Sequence, residues 1–164
     1  MTAAPMGGCR SAVAAVLVLL FASTAYAQPG KPTNIGAWTL NVAKSRYGPG
    51  AKPKSSTLTY ELVDGAVRVT SDTVAADGSV SHATYTTRYD GADCPVTGTN
   101  TGPEVTAVTR VDAYTTRRVN KFRGKVTTTQ TAVVSRNGKT LTVVSKGTSA
   151  TGLIVDSIAV YDRR

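Results

Sequence analysis

The hydrophobic pattern changes character twice along the chain. Positions 12–22 form an unbroken apolar run, with Arg10 the only charge ahead of it and Ser23-Thr24 followed by Ala25-Tyr26-Ala27 behind it. The run falls short of the ~20 residues a spanning helix needs. Small residues flanking Tyr26 match the pattern read by signal peptidase, so residues 1–27 are expected to be a removable leader. Residues 28–35, with Pro29, Gly30, Lys31 and Pro32, show no periodicity and are expected to be a disordered tail. From Gly36 onward apolar and polar residues alternate, the period that sends successive side chains to opposite faces of a strand.

Ten strands follow from that alternation. They lie near Trp38–Asn41, Thr57–Val63, Ala66–Val74, Val80–Tyr89 and Asp93–Val96, then Val105–Val111, Tyr114–Phe122, Val126–Ser135, Leu141–Lys146 and Leu153–Tyr161. Pro95 marks the fifth as an edge or bulged strand, because proline cannot donate to a ladder. Asp64-Gly65, Asp77-Gly78 and Asp90-Gly91 recur at equal steps, and Arg123-Gly124 and Asn137-Gly138 continue the rhythm. Such pairs suit tight hairpins, whose two central residues need positive φ. Nothing between them has a helical period. The predicted architecture is all-β, in residues 36–164: an up-and-down antiparallel meander closing into a barrel of eight to ten strands, since closure leaves no exposed edge.

The expected inward faces carry mostly Val, Thr, Ala and Leu, as at Leu58, Tyr60 and Leu62 or at Val126, Thr128, Gln130, Ala132 and Val134. Eight strands are just filled by ordinary side chains and a wider barrel leaves room. Small inward residues therefore point to a cavity made partly polar by threonine hydroxyls; a flattened barrel or a sandwich without a cavity is the alternative. Tyr60, Tyr85, Tyr89, Phe122 and Gln130 are the candidate cavity residues.

Composition narrows the chemistry. With His82 the only histidine and two cysteines, Cys9 and Cys94, on opposite sides of the leader cut, neither a zinc framework nor an internal disulfide is available, and no metal or other cofactor is expected. Nucleophilic catalysis is disfavoured because Ser81 and His82, adjacent on a strand, point apart. Asp64, Asp77, Asp90 and Asp112 are turn residues rather than paired acids. The expectation is a protein that is not an enzyme. Charge offers a rival signal: 19 Lys and Arg stand against 10 Asp and Glu. Arg117, Arg118, Lys121, Arg123 and Lys125 crowd the hairpin around Gly124, a basic surface suited to anionic polymers or lipid headgroups. Aromatic platforms for stacking bases are too few there to signal nucleic-acid binding.

Gly36-Ala37-Trp38-Thr39-Leu40-Asn41 resembles the Gly-x-Trp start of the calycins, which include lipocalins and fatty-acid-binding proteins. The closing stretch, Asn137-Gly138-Lys139-Thr140-Leu141 to Val160-Tyr161-Asp162-Arg163, resembles that of the fatty-acid-binding type. Nearly all of the chain after Ile35 is similar to small exported bacterial proteins of unassigned function, described as lipocalin-like. The matching pieces are Leu40-Asn41-Val42-Ala43-Lys44-Ser45, Pro53-Lys54-Ser55-Ser56-Thr57, Tyr89-Asp90-Gly91 and Pro95-Val96-Thr97-Gly98. The resemblance implies that Trp38 plugs one barrel end beneath a basic side chain, Arg163 or Arg164. Two departures stand out. Pro49, Gly50 and Pro53 break the place where fatty-acid-binding proteins carry a two-helix lid, and Ala159 stands where they have the arginine of an Arg-x-Tyr clamp.

The reading is therefore a non-catalytic exported protein, periplasmic or extracellular, that holds a small apolar or mixed-polarity molecule in a barrel cavity. The alternative is a module that binds anionic cell-envelope or polymer surfaces through the basic hairpin, with no internal ligand.

Overall fold

Each of the ten alternating runs becomes a strand. The computed structural model describes residues 32–50 and 52–164, and no helix occurs among them. The expected leader and residues 28–31 of the expected tail lie outside the described residues. The strands are β1 (Gly36–Leu40), β2 (Arg46–Gly48), β3 (Ser55–Val63), β4 (Ala66–Val74), β5 (Val80–Thr87) and β6 (Asp90–Pro95). The second half holds β7 (Thr97–Thr99), β8 (Val105–Arg110), β9 (Thr115–Phe122), β10 (Lys125–Val134), β11 (Thr140–Thr148) and β12 (Ile154–Arg163). Only β2 and β7, three residues each, have no counterpart in the alternation.

All pairings are antiparallel, in the order β6-β8-β9-β10-β11-β12-β1-β3-β4-β5-β7, with β2 added beside β12. First and last strands join, with Trp38 opposite Arg163 and Leu40 opposite Tyr161. The result is a sheet nearly closed into a barrel, with eleven strands along its path and β2 a twelfth beside it, where ten were expected at most. A plain meander is also corrected in two places. β1 pairs with β3 because β2 leaves to flank β12, and β5 pairs with β7 while β6 pairs with β8.

The last exchange explains the closure. Only Val96 separates β6 from β7, so one segment starts against β8, crosses the gap and ends against β5. Asp90-Gly91, expected to turn a hairpin, instead opens this crossing at a register irregularity in β6. Gly98 makes the landing possible. Its φ is +135°, and a Cβ there would collide with the His82 carbonyl. Elsewhere the hairpin chemistry follows expectation: Asp64 and Gly65, like Arg123 and Gly124, both have positive φ, the type I′ requirement.

One barrel end is sealed by apolar packing. Trp38 and Leu141 are fully buried, with Val67, Val69, Val108 and Val134 around them. The Arg163 guanidinium lies 4.1 Å from the Trp38 ring centroid, an attractive cation–π distance. Its nitrogens donate to the carbonyls of Ile35 (2.8 Å), Thr33 (2.8 Å) and Gly138 (2.6 Å). Arg164 instead reaches Thr39 Oγ1 at 2.6 Å. The Trp38 indole N–H donates to Asn34 O at 2.8 Å, and Asn34 Nδ2 donates to Tyr89 Oη at 2.9 Å. Thr33–Ile35 therefore belong to the barrel floor rather than to a disordered tail. Specific polar bonds hold them, and these leave no periodic trace.

Candidate functional site

Above that floor the strands diverge around a cavity of about 650 Å³. Its walls are the inward positions of the alternation, among them Leu58, Tyr60, Tyr85, Val108, Val143 and Ala159. Its mouth is framed by Pro49 and Pro53, by Thr101 and Pro103, and by Ser149 and Leu153 at the β11–β12 turn. Side-chain size explains the space: on the inner face of β10, Thr128, Gln130 and Ala132 meet β11 at Gly147, Ser145 and Val143.

Of the expected cavity residues, Tyr60, Tyr85, Tyr89 and Gln130 line this space. Phe122 does not. It has the inward parity of β9, but it lies one residue beyond the last pairing with β8, Val105 opposite Lys121, and it meets the Arg123 guanidinium 5.2 Å from its ring centroid. Tyr47 and Asn120 also line the cavity without having been singled out, and so does Tyr161, the tyrosine at the place of the Arg-x-Tyr clamp. Asn120 was legible in principle, two steps from Arg118 on one strand face.

Arg118 is the main relocation. It was grouped with the basic surface, yet Thr116, Arg118 and Asn120 form the inward set of β9 and all three line the cavity. Its Nε donates to Asn120 Oδ1 at 2.8 Å and its Nη1 to Tyr85 Oη at 3.2 Å, while the guanidinium lies 5.1 Å from the Tyr85 ring centroid. Asn120, buried, is itself held by Thr106 Oγ1 (3.0 Å) and Thr128 Oγ1 (2.9 Å). Hydrogen-bonding neighbours that lie apart in sequence thus turn the arginine inward. Arg117, Lys121, Arg123 and Lys125 remain outside the cavity, and Lys121 is neutralised by Asp93 at 2.7 Å.

The tyrosines form a cluster whose phenols are held neutral. Burial pushes the Tyr89 hydroxyl up to about 12, partly offset by its bond with Asn34, and raises Tyr60 and Tyr47 as well. Tyr161 is raised by burial too, although its hydroxyl donates to Ser56 Oγ at 3.4 Å. These folded values lie above the unfolded value near ~10, so the stability linked to them is complete below pH ~10 and is lost as pH climbs past it. Alkaline titration should thus show these phenols ionising only as the fold melts; tyrosinate absorbance that rose fully before the circular dichroism changed would contradict their burial.

His82 has a partner that sequence alone did not supply. Register sets Asp72 directly across from it, with Oδ1 2.6 Å from Nδ1, and Thr84 Oγ1 lies 3.3 Å from Nε2. The group sits on the outer wall, about half exposed, and none of its members lines the cavity.

Fold and site together define a class: an all-β, nearly closed antiparallel barrel with an accessible interior of mixed polarity. No family model matches the chain, and no curated protein matches it.

Proposed function

We propose that the protein is a non-catalytic binding protein of lipocalin-like type, which carries a small molecule of mixed polarity inside the barrel. The single observation behind this reading is the cavity of about 650 Å³, within the range of ordinary small-molecule sites. Tyrosine rings and aliphatic side chains supply apolar contact, and a few polar groups supply orientation. Trp38 beneath Arg163, together with the joined terminal strands, supports the lipocalin-like comparison. The expected leader makes export, to the periplasm or the cell exterior, part of the same proposal.

The alternative, a basic hairpin docked on an anionic surface, draws less support. Arg118 faces inward and Lys121 is paired, which leaves Arg117, Arg123 and Lys125 as a thin patch. A neutral environment-sensitive dye, N-phenyl-1-naphthylamine, tests the carrier reading. Saturable one-site enhancement is expected, with native mass spectrometry showing one dye per chain. Absence of saturable binding, with the protein folded by circular dichroism, would overturn it.

A further inference from the structure

We propose that the cavity receives an organic carboxylate, with the charged end seated on Arg118 and an oxygen-bearing body along the walls. This rests on the carrier reading and goes one step beyond it. The argument begins with an imbalance of charge. Arg118 is half-buried on the cavity wall, where its charge is screened less than on the outer surface and an anion that enters is attracted to it. Arg118 lines the cavity with two neutral acceptors, Asn120 Oδ1 and Tyr85 Oη, and no carboxylate partner among the described residues. Those two bonds use Nε and one Nη1 hydrogen. They hold the guanidinium in place and leave both Nη2 hydrogens and the second Nη1 hydrogen to meet a carboxylate in the cavity.

A second donor converges on the same space. Tyr60 is 8% exposed and lines the cavity, yet its hydroxyl has no hydrogen-bond partner among the described residues. The hydroxyl opens onto the cavity, where it can donate to an oxyanion that enters. Gln130, directly across from Arg118 in the β9–β10 register, adds an amide to the same wall.

The remaining lining states which body the ligand should have. Ser56, Ser71, Thr73, Thr128, Ser145 and Ser157 set hydroxyls along the walls, a poor match for a bare hydrocarbon chain and a good one for hydroxyl or carbonyl oxygens. Charge sets the direction of entry. Among the lining residues Arg118 is the only cation and Asp156 the only acid, and Asp156 is exposed in the first residues of β12 at the mouth. An anionic end that enters is thus drawn toward Arg118.

Two dyes that share one ring system separate this proposal from the reading beneath it. 8-Anilinonaphthalene-1-sulfonate carries an oxyanion, and N-phenyl-1-naphthylamine is the same scaffold without it. Arg118→Gln is expected to weaken the anionic dye about tenfold or more and the neutral dye less than twofold. Arg117→Gln, which removes an equal charge from the outer face of the same strand, should leave both within twofold. Tyr60→Phe should weaken the anionic dye about two- to fivefold, an arm that remains if Arg118→Gln does not fold. Bound anionic dye should be displaced by 4-hydroxycinnamate at least tenfold better than by its methyl ester, and better than by hexadecanoate. The proposal is overturned if Arg118→Gln and Tyr60→Phe spare the anionic dye, if Arg117→Gln weakens it equally, or if acid and ester compete alike. Neutral-dye binding without these differences would sink the anion site alone. Failure of both dyes to bind would sink the carrier reading with it.

Discussion

Trp38→Ala is expected to lower the free energy of unfolding by about 3–5 kcal/mol, the usual cost of deleting a large buried aromatic. Domains of this size are stable by only ~5–15 kcal/mol, so the variant should sit close to its unfolding midpoint at modest urea. The effect is large because three contributions meet at one side chain. Trp38 is fully buried, its indole N–H satisfies the Asn34 carbonyl, and its ring carries the Arg163 guanidinium at 4.1 Å. Removing it leaves an apolar void under the cavity and frees the segment Thr33–Ile35. Trp38→Phe keeps most of the packing and loses the indole bond, so it should cost roughly 1–2 kcal/mol more than a neutral replacement would. Urea titrations followed by far-ultraviolet circular dichroism check both, since the substitution removes the tryptophan signal itself. A cost below about 1 kcal/mol for Trp38→Ala would show that the floor does not hold the barrel shut.

Gly98→Ala is expected to cost about 2–4 kcal/mol, far more than an alanine in an ordinary turn. The position combines φ of +135° with a backbone collision at the His82 carbonyl, and neither rotamer choice nor a flexible neighbour can relieve a Cβ–backbone clash. β7 must then move away from β5, and it is the landing point of the segment that completes the wall. Gly124→Ala is the contrast. Its φ is +72° with open space around the missing Cβ, so only the left-handed backbone penalty of roughly 1–2 kcal/mol applies. Hydrogen exchange gives the decisive signature. Amides of β5 and β7 around Ala83 and Thr97 should lose protection in Gly98→Ala and keep it in Gly124→Ala. Equal effects of the two variants would mean that the seam is not closed by close backbone approach.

The parts of the fold visible in the text were those written as periodicity or as local turn chemistry. Leu58, Tyr60, Val67 and Val69 announced their faces by alternation, and Asp64-Gly65 announced its hairpin by the need for two positive φ values. β2 and β7 escaped because three residues cannot establish a period of two. Asp90-Gly91 misled because the same dipeptide serves a hairpin or a bulge, and only the partner strand decides between them. At the site, Tyr60, Tyr85, Tyr89 and Gln130 were legible from alternation. Arg118 was read by its charge as a surface residue, while its strand parity pointed inward. Its orientation depends on Asn120 beside it and on Tyr85, 33 positions away in sequence. Asn34 was hidden for a similar reason: its burial rests on specific partners, Tyr89 at the side-chain amide and Trp38 at the main-chain carbonyl, rather than on an apolar pattern.

The placement of Arg163 also bears on how the molecule comes into being. β12 supplies a neighbour to β1, β2 and β11, and Arg163 ties Thr33 and Ile35 to Gly138. These are contacts between residues far apart in the chain, the kind that makes assembly slow and leaves little to gain from partial completion. A chain clipped before β12 has neither a closed wall nor a base. Chains that lack β12 should therefore stay protease-sensitive, and chains that carry it should acquire resistance in a single step on refolding.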